Sequence, residues 1–429
     1  MGSSTGTAGT GQSTALRAAH MNEGIDLPLH EPLQGTLRKI TERLAGELAK
    51  PTLVAPDWSP VEWRVARAVA VMHCVSPLLS GSLRWEGPAQ WGDFLSGQKA
   101  HVAARHRRIQ ELLDQIDARS REEGIAIVAL KGAALHSMGF YCAGERPMAD
   151  VDLLVQAGDT ARTGQLLQSL GFIESFAIWK HAVFVPKVCN LHKGMGEHTD
   201  NYLKVELHAR IAEKLPSRIT DVTDSIYPRT PHPGLNAYPS TAALMIHLLI
   251  HAAGSMVSRT VRLVHLHDIA LVSSRMAASD WDELVKQRRN MNRRWWALPP
   301  LQLTARYYPD AVPTGVLAAL SNDCPWTLRQ VVRHRRLSDV SLSNPWIEAF
   351  PGIAWSQSGA EIVEYIGARI WPDKEFRRLR AKLVETEPAS SETQWGRLSQ
   401  GQRILRWLTS RPLRVGTLHA VRMALAQAD

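Results

Sequence analysis

Apolar residues recur at steps of three and four from Gln34 to about Glu123, in runs such as VEWRVARAVAVMHCVSPLL and GQKAHVAARHRRIQELLDQIDARSREEG. That period predicts amphipathic helices. Between Ile125 and about Ile211 the apolar runs shorten to IAIVAL, VDLLV, HAVFVP and LKVELHA, with one helical stretch, TARTGQLLQSLGF, ending at Gly171. Such alternation predicts short strands around a helix. A proline-rich crossing, YPRTPHPGLNAYPS, follows, and the helical period then returns in TAALMIHLLIHAAG, RLVHLHDIALVSSRM, DWDELVKQRRNMNRRWWAL and an arginine-rich set reaching Asp429. The expected fold class is α+β: a small mixed β-sheet core embedded between an N-terminal helical segment and a C-terminal helical domain. The expected boundaries are a disordered tail at 1–33, helices at 34–123, the core at 124–215, a linker at 216–239 and the helical domain at 240–429. No internal repeat is visible.

Composition narrows the classes. The 429 residues are 45% hydrophobic and 21% charged, which is ordinary for a globular chain and excludes global disorder. No segment reaches the ~18 to 20 uninterrupted apolar residues of a spanning helix, so no membrane partner is expected. Cys74, Cys142, Cys189 and Cys324 lie far apart without a CxxC pair, which suggests neither a zinc ribbon nor a disulfide framework and favours a reducing cytoplasm. The opening MGSSTGTAGTGQSTALRAAH lacks the apolar region of a secretory signal. A net charge of +9 is concentrated in arginines after about Trp281, in RRNMNRRWW, RHRR and EFRRLRAK. Scattered basic clusters without an RNA-binding motif make nucleic acid a secondary candidate partner.

The chemistry concentrates in IAIVALKGAALHSMGFYCAGERPMADVDLLV, Ile125 to Val155. In a strand, side chains alternate between faces, so Asp150 and Asp152 fall on one side, about 7 Å apart at their Cα atoms, while Val151 and Leu153 enter the core. Two carboxylates that close repel unless a cation stands between them, and magnesium with phosphate oxygens is the obvious candidate. Lys131, Gly132 and Ala133 end one strand and open a short helix, giving a cation, a residue without Cβ and free backbone amides for a triphosphate. Arg146 is suited to a forked phosphate contact. Glu206, flanked by Val205 and Leu207, adds a third carboxylate that completes a two-metal site or orients the attacking group. Lys204 and His208 share its strand face.

The order of these pieces, a lysine-glycine step, a helix, an arginine, the DVD run and then VEL, resembles the polymerase-β-like, minimal nucleotidyltransferase superfamily. Arg146-Pro-Met-Ala-Asp150-Val-Asp152 with Lys131-Gly132 resembles its toxin-type branch. Closer still is the resemblance to a bacterial nucleotidyltransferase family found with peptide-modification gene clusters, those for lasso peptides included. It extends through VELHARI, IHLLIHAAG, RLVHLHDIALV, DWDEL and IWPDKEFRRLR, over most of residues 55 to 385. The resemblance implies a Mg2+-dependent, ATP- or other NTP-using enzyme in the cytoplasm, with metals held by Asp150, Asp152 and Glu206 and the nucleotide by Lys131, Gly132, Ala133 and Arg146. It implies transfer of a nucleoside monophosphate to a hydroxyl or phosphate of a peptide, protein or small molecule. The alternatives are a toxin-like transferase acting on tRNA and a degenerate module that binds nucleotide or peptide without chemistry. Ala133 departs from the second Gly or Ser of many superfamily members, which removes a hydroxyl contact to phosphate.

Other residues stay open. His247 and His251 have a metal-compatible spacing, but without an HExxH glutamate they read as packed core histidines. Asp268, beside His265 and His267, either lines the cleft or caps a local hydrogen-bond network. Trp295 and Trp296 read as core or interface residues rather than base-stacking platforms.

Overall fold

The computed structural model describes residues 30–188, 194–285, 293–374, 377, 398–410 and 412–426. The tail before residue 30, most of EFRRLRAK, much of RRNMNRRWW and Cys189 lie outside the described residues. The helical lead-in forms α1 (His30–Ala49), α2 (Pro60–Met72), α3 (Ser76–Ser82) and α4 (Ala89–Glu122). Ser59 caps α2, and Glu62 reaches back to the Ser59 amide, so two orphan donors of the first turn are satisfied reciprocally.

The core alternates as expected. Strands β1 (Ala126–Ala129), β4 (His181–Pro186) and β5 (Lys204–His208) fall within three of the short apolar runs, and β2 (Asp150–Leu154) starts one residue before the fourth. Helices α5 (Lys131–Ser137) and α6 (Thr160–Ser169) interleave with them. The sequence period did not reveal β3 (Phe172–Ala177), an exposed edge strand, nor β6 (Ala212–Lys214), β7 (Ile219–Asp221) and β8 (Gly234–Asn236). The stretch expected as a linker thus holds β7, the short helix α7 (Thr223–Ile226) and β8. The main sheet runs β3-β4-β5-β2-β1-β8, while β6 and β7 pair separately. It is mixed: β2 runs parallel to β5 and antiparallel to β1, and β8 is parallel to β1. The α+β expectation holds.

Alternation divides the sheet into two working faces. Val151, Leu153, Val205, Leu207 and Phe184 pack with Ile109, Leu112, Leu113 and Ile116 of α4 and with Leu166 and Leu167 of α6. The opposite face carries the acidic residues. Register sets Asp150 beside Lys204, Asp152 beside Glu206 and Leu154 beside His208 across β2 and β5, and His181 of β4 opposite His208. Over this face lie α8 (Thr241–Val257) and α9 (Leu263–Ser273), whose apolar residues join a large core with α1 and α2. Next comes α10 (Ala278–Val285), followed by further helices from Leu298–Tyr307 to Val415–Ala426. Trp295 and Trp296 are buried in the larger core. Among the described residues no single helix is long and apolar enough to cross a membrane.

Candidate active site

Between the acidic face of the sheet and the helical layer opens a cleft of about 570 Å³, whose walls include Lys131, Gly132, Asp150, Asp152 and Glu206. The strand pattern therefore does bring the three carboxylates to one cavity. Asp152 is buried, and its Oδ1 accepts from Lys131 Nζ at 2.9 Å and lies 3.0 Å from His208 Nε2. Burial pushes the Asp152 carboxyl up, but the Lys131 ammonium and His208 outweigh it and hold the group well below the usual carboxylate range. Burial alone would lower Lys131, yet Asp152, Asp150 and Glu206 together hold it above its ordinary value. Glu206 is pushed up to about 7 by burial, with Asp152 and Asp150 adding to the effect. Adjacent carboxylates in one cavity thus carry opposite shifts, because the lysine sits on one of them.

Lys131 is held there by its backbone. Its φ of +45° is unusual for a residue with a Cβ, and its amide donates to the Tyr238 hydroxyl at 3.2 Å. Tyr238 in turn shares a 2.7 Å bond with His247 Nδ1, so the buried His247 serves this turn. His251 reaches the cleft wall and packs its ring 5.0 Å from that of His265.

Three expected nucleotide contacts are differently engaged. Arg146 lines the cleft, but its fork closes on Asp268: Nε donates to Oδ1 at 2.9 Å and Nη2 to Oδ2 at 2.7 Å. Tyr141 donates to the same carboxylate at 2.6 Å, so Asp268 caps a buried network beneath the cleft and does not line it. Gly132 lacks a Cβ for a protein reason as well, since one would stand 2.5 Å from Arg146 Nη1 and 2.7 Å from Met148 Sδ. The methyl of Ala133 is buried in the sheet core with Met148 and Val151, and its amide donates to the Leu130 carbonyl at 3.2 Å. Ala133 is thereby turned away from the cleft.

Several wall residues escaped sequence reasoning. Arg262, just before α9, lines the cleft with its Nη1 3.3 Å from Cys74 Sγ, a weak acceptor. Glu197, on the loop after β4, lies 2.9 Å from the Arg105 guanidinium, which also donates to the Asn201 carbonyl at 2.7 Å and the Met148 carbonyl at 3.2 Å. Arg105 of α4 thus ties that loop to the segment entering β2. His181 approaches Glu206 across the sheet, with its Nε2 3.6 Å from Oε2. None of these carries a local motif; only the pairing of β4 with β5 could have singled out His181.

Residues 59–309 match the family model described as uncharacterised nucleotidyltransferase, which covers just over half the chain and the whole of the main sheet. The protein is therefore a transferase, an enzyme of nucleotidyl transfer. It belongs to that family of uncharacterised nucleotidyltransferases. No curated protein and no solved structure matched the chain.

Proposed function

We propose that the enzyme transfers a nucleoside monophosphate from an NTP to a hydroxyl or phosphate of a peptide, protein or small-molecule acceptor. The observation that carries this reading is the pair Asp150 and Asp152 on one strand face, opening on a cleft that Lys131 and Arg262 also line. In the transfer, an acceptor oxygen attacks the α-phosphorus while its bond to the bridging oxygen breaks. Pyrophosphate leaves with the electron pair, and the acceptor proton passes to a base. Such chemistry depends on positioning and on fixed charge more than on covalent help from the protein.

The aspartates suit Mg2+, which takes carboxylate and phosphate oxygens, and Lys131 Nζ on Asp152 marks where positive charge already resides. Magnesium there would neutralise charge building on the phosphates. Lys131 has a flexible stem that can follow the triphosphate when the aspartates take up metal. Gly132 keeps the wall beside it low. Arg146 supports that wall through its ion pair with Asp268, and Arg262 supplies the less committed guanidinium toward pyrophosphate. Glu206, with its raised pKa, stands where it can ligate a second ion or accept the acceptor's proton.

The peptide preference rests on the resemblance to the family found with lasso-peptide clusters, and the NTP and Mg2+ requirement favours the cytoplasm. The test is incubation with each NTP labelled at the α-phosphate, Mg2+ and candidate peptides, proteins and RNA. Label on a peptide or small acceptor with release of pyrophosphate is expected. Label on RNA instead, or no transfer to any acceptor, would overturn the proposal.

A further inference from the structure

Behind the aspartates, β4 and β5 enclose a second, smaller cavity of about 80 Å³, roofed by α8. Its floor carries His181, Glu206 and His208, whose ligand atoms all lie within 4.8 Å of one another. We propose that these three residues form a site for a late first-row dication of the zinc class, separate from the oxygen-rich aspartate pair. The inference does not depend on the nucleotidyl-transfer reading.

The geometry comes from strand pairing. Glu206 and His208 are two apart on β5 and so share a face, while His181 stands opposite His208 on antiparallel β4. The three side chains therefore converge without any loop rearrangement. Glu206 Oε2 lies 3.6 Å from His181 Nε2 and 3.7 Å from His208 Nε2. Those separations exceed a hydrogen bond. They are close to the spacing of two donors on a tetrahedral zinc ion, about 3.3 Å for metal-ligand distances near 2.0–2.1 Å.

A second observation points to a ligand. His181 is nine-tenths buried at its side chain, yet its Nδ1 has no hydrogen-bond partner and its Nε2 faces Glu206 from beyond hydrogen-bonding reach. An ion between Nε2 and the carboxylate would give that nitrogen the close partner it lacks, while Nδ1 would remain unpartnered. The surrounding charges permit it. Lys180, on the cavity wall, is held by Glu213 at 2.8 Å, and Lys131 is held by Asp152. Asp152 Oδ1, 3.0 Å from His208 Nε2, borders the site but is engaged by Lys131.

Two imidazoles and one carboxylate select against magnesium, which prefers oxygen, and favour zinc or cobalt. An ion here would hold Glu206 toward the histidines, in competition with the second-ion and proton-acceptor roles proposed for it above, and would fix the back wall of the cleft. The test uses the full chain without nucleotide, stripped with a chelator and titrated with Co2+, whose visible absorption reports nitrogen ligation. One equivalent should produce the band, Zn2+ should displace it, and excess Mg2+ should not. His181→Ala and His208→Ala should each weaken Co2+ binding at least ~10-fold, whereas Asp150→Ala should leave it unchanged. His181→Asn, which keeps the volume nearer that of the ring, serves if the alanine variant does not fold. Absence of the band in the wild-type protein, or a band that survives both histidine substitutions, overturns the site. Because no NTP is present, that result is independent of whether label transfer succeeds.

Discussion

The Asp152 carboxylate takes its counter-charge from the Lys131 ammonium, 2.9 Å away. Two aspartates one residue apart, if only repelling each other, imply a metal-free protein that keeps or gains stability when either is removed. Lys131 and His208 instead satisfy Asp152 without a metal ion. Asp152→Ala should therefore abolish transfer and also destabilise the metal-free protein by about 1–3 kcal/mol, since it leaves the half-buried Lys131 ammonium without its hydrogen-bonded partner. Urea denaturation checks it, and Lys131→Met in the same background should recover part of the loss. A stable Asp152→Ala variant would show that the pair contributes little. Glu206 gives a pH-dependent counterpart. A carboxyl whose folded pKa lies above its unfolded value contributes stability below about 4.5 and loses it as pH climbs through about 7. In metal-free protein, Glu206→Gln should thus gain stability relative to wild type between pH 5 and about 8, with no such gain below pH 4. Parallel thermal melts across that range test it, and a constant difference would contradict the raised pKa.

At the scale of elements, α5 is pinned to the segment entering β2 by contacts that leave no room at Gly132. A Cβ there meets Arg146 Nη1 and Met148 Sδ well inside contact distance, although the helix itself would accept alanine. Gly132→Ala should cost about 1–3 kcal/mol through overpacking and should disturb the Arg146 fork on Asp268. Chemical denaturation, with Ala133→Gly as the neighbouring comparison, measures it; an unchanged midpoint would mean that Met148 moves aside freely. The same elements show what the sequence makes legible. Strands β1, β2, β4 and β5 were readable because each is an apolar run bounded by polar or turn residues, and Asp150, Asp152 and Glu206 were readable because apolar flanks fix their faces. Strand β8 was not, since Gly234–Asn236 offers three residues after a proline and gains its place only by pairing with β1. The Arg146–Asp268 pair was hidden for a related reason. It joins residues 122 positions apart, and no local period records that contact. His181 fell outside the candidate set because its approach to Glu206 depends on the β4–β5 register rather than on either strand alone.

For the whole molecule, the question is what the net charge of +9 does. Much of the described arginine charge beyond the sheet is committed internally. Arg259 binds Glu348 at 2.9 Å, Arg294 donates to the Glu283 carbonyl at 2.8 Å, Arg306 to the Arg333 carbonyl at 2.7 Å and Arg369 to the Ala349 carbonyl at 3.1 Å. These side chains cap helices and tie the C-terminal layer together, and an RNA backbone would have to compete with those bonds. An RNA acceptor held by several phosphate contacts loses affinity with salt at a log-log slope of about −0.7 per contact, because each contact releases condensed counterions. A peptide or small acceptor releases few. Once an acceptor has been found by label transfer, its affinity measured from low to high salt at fixed Mg2+ should therefore fall only shallowly. The variant Arg262→Gln should weaken NTP binding without altering that slope, because it acts in the cleft and not on an acceptor surface. A slope equivalent to several phosphate contacts would instead favour the tRNA-directed alternative.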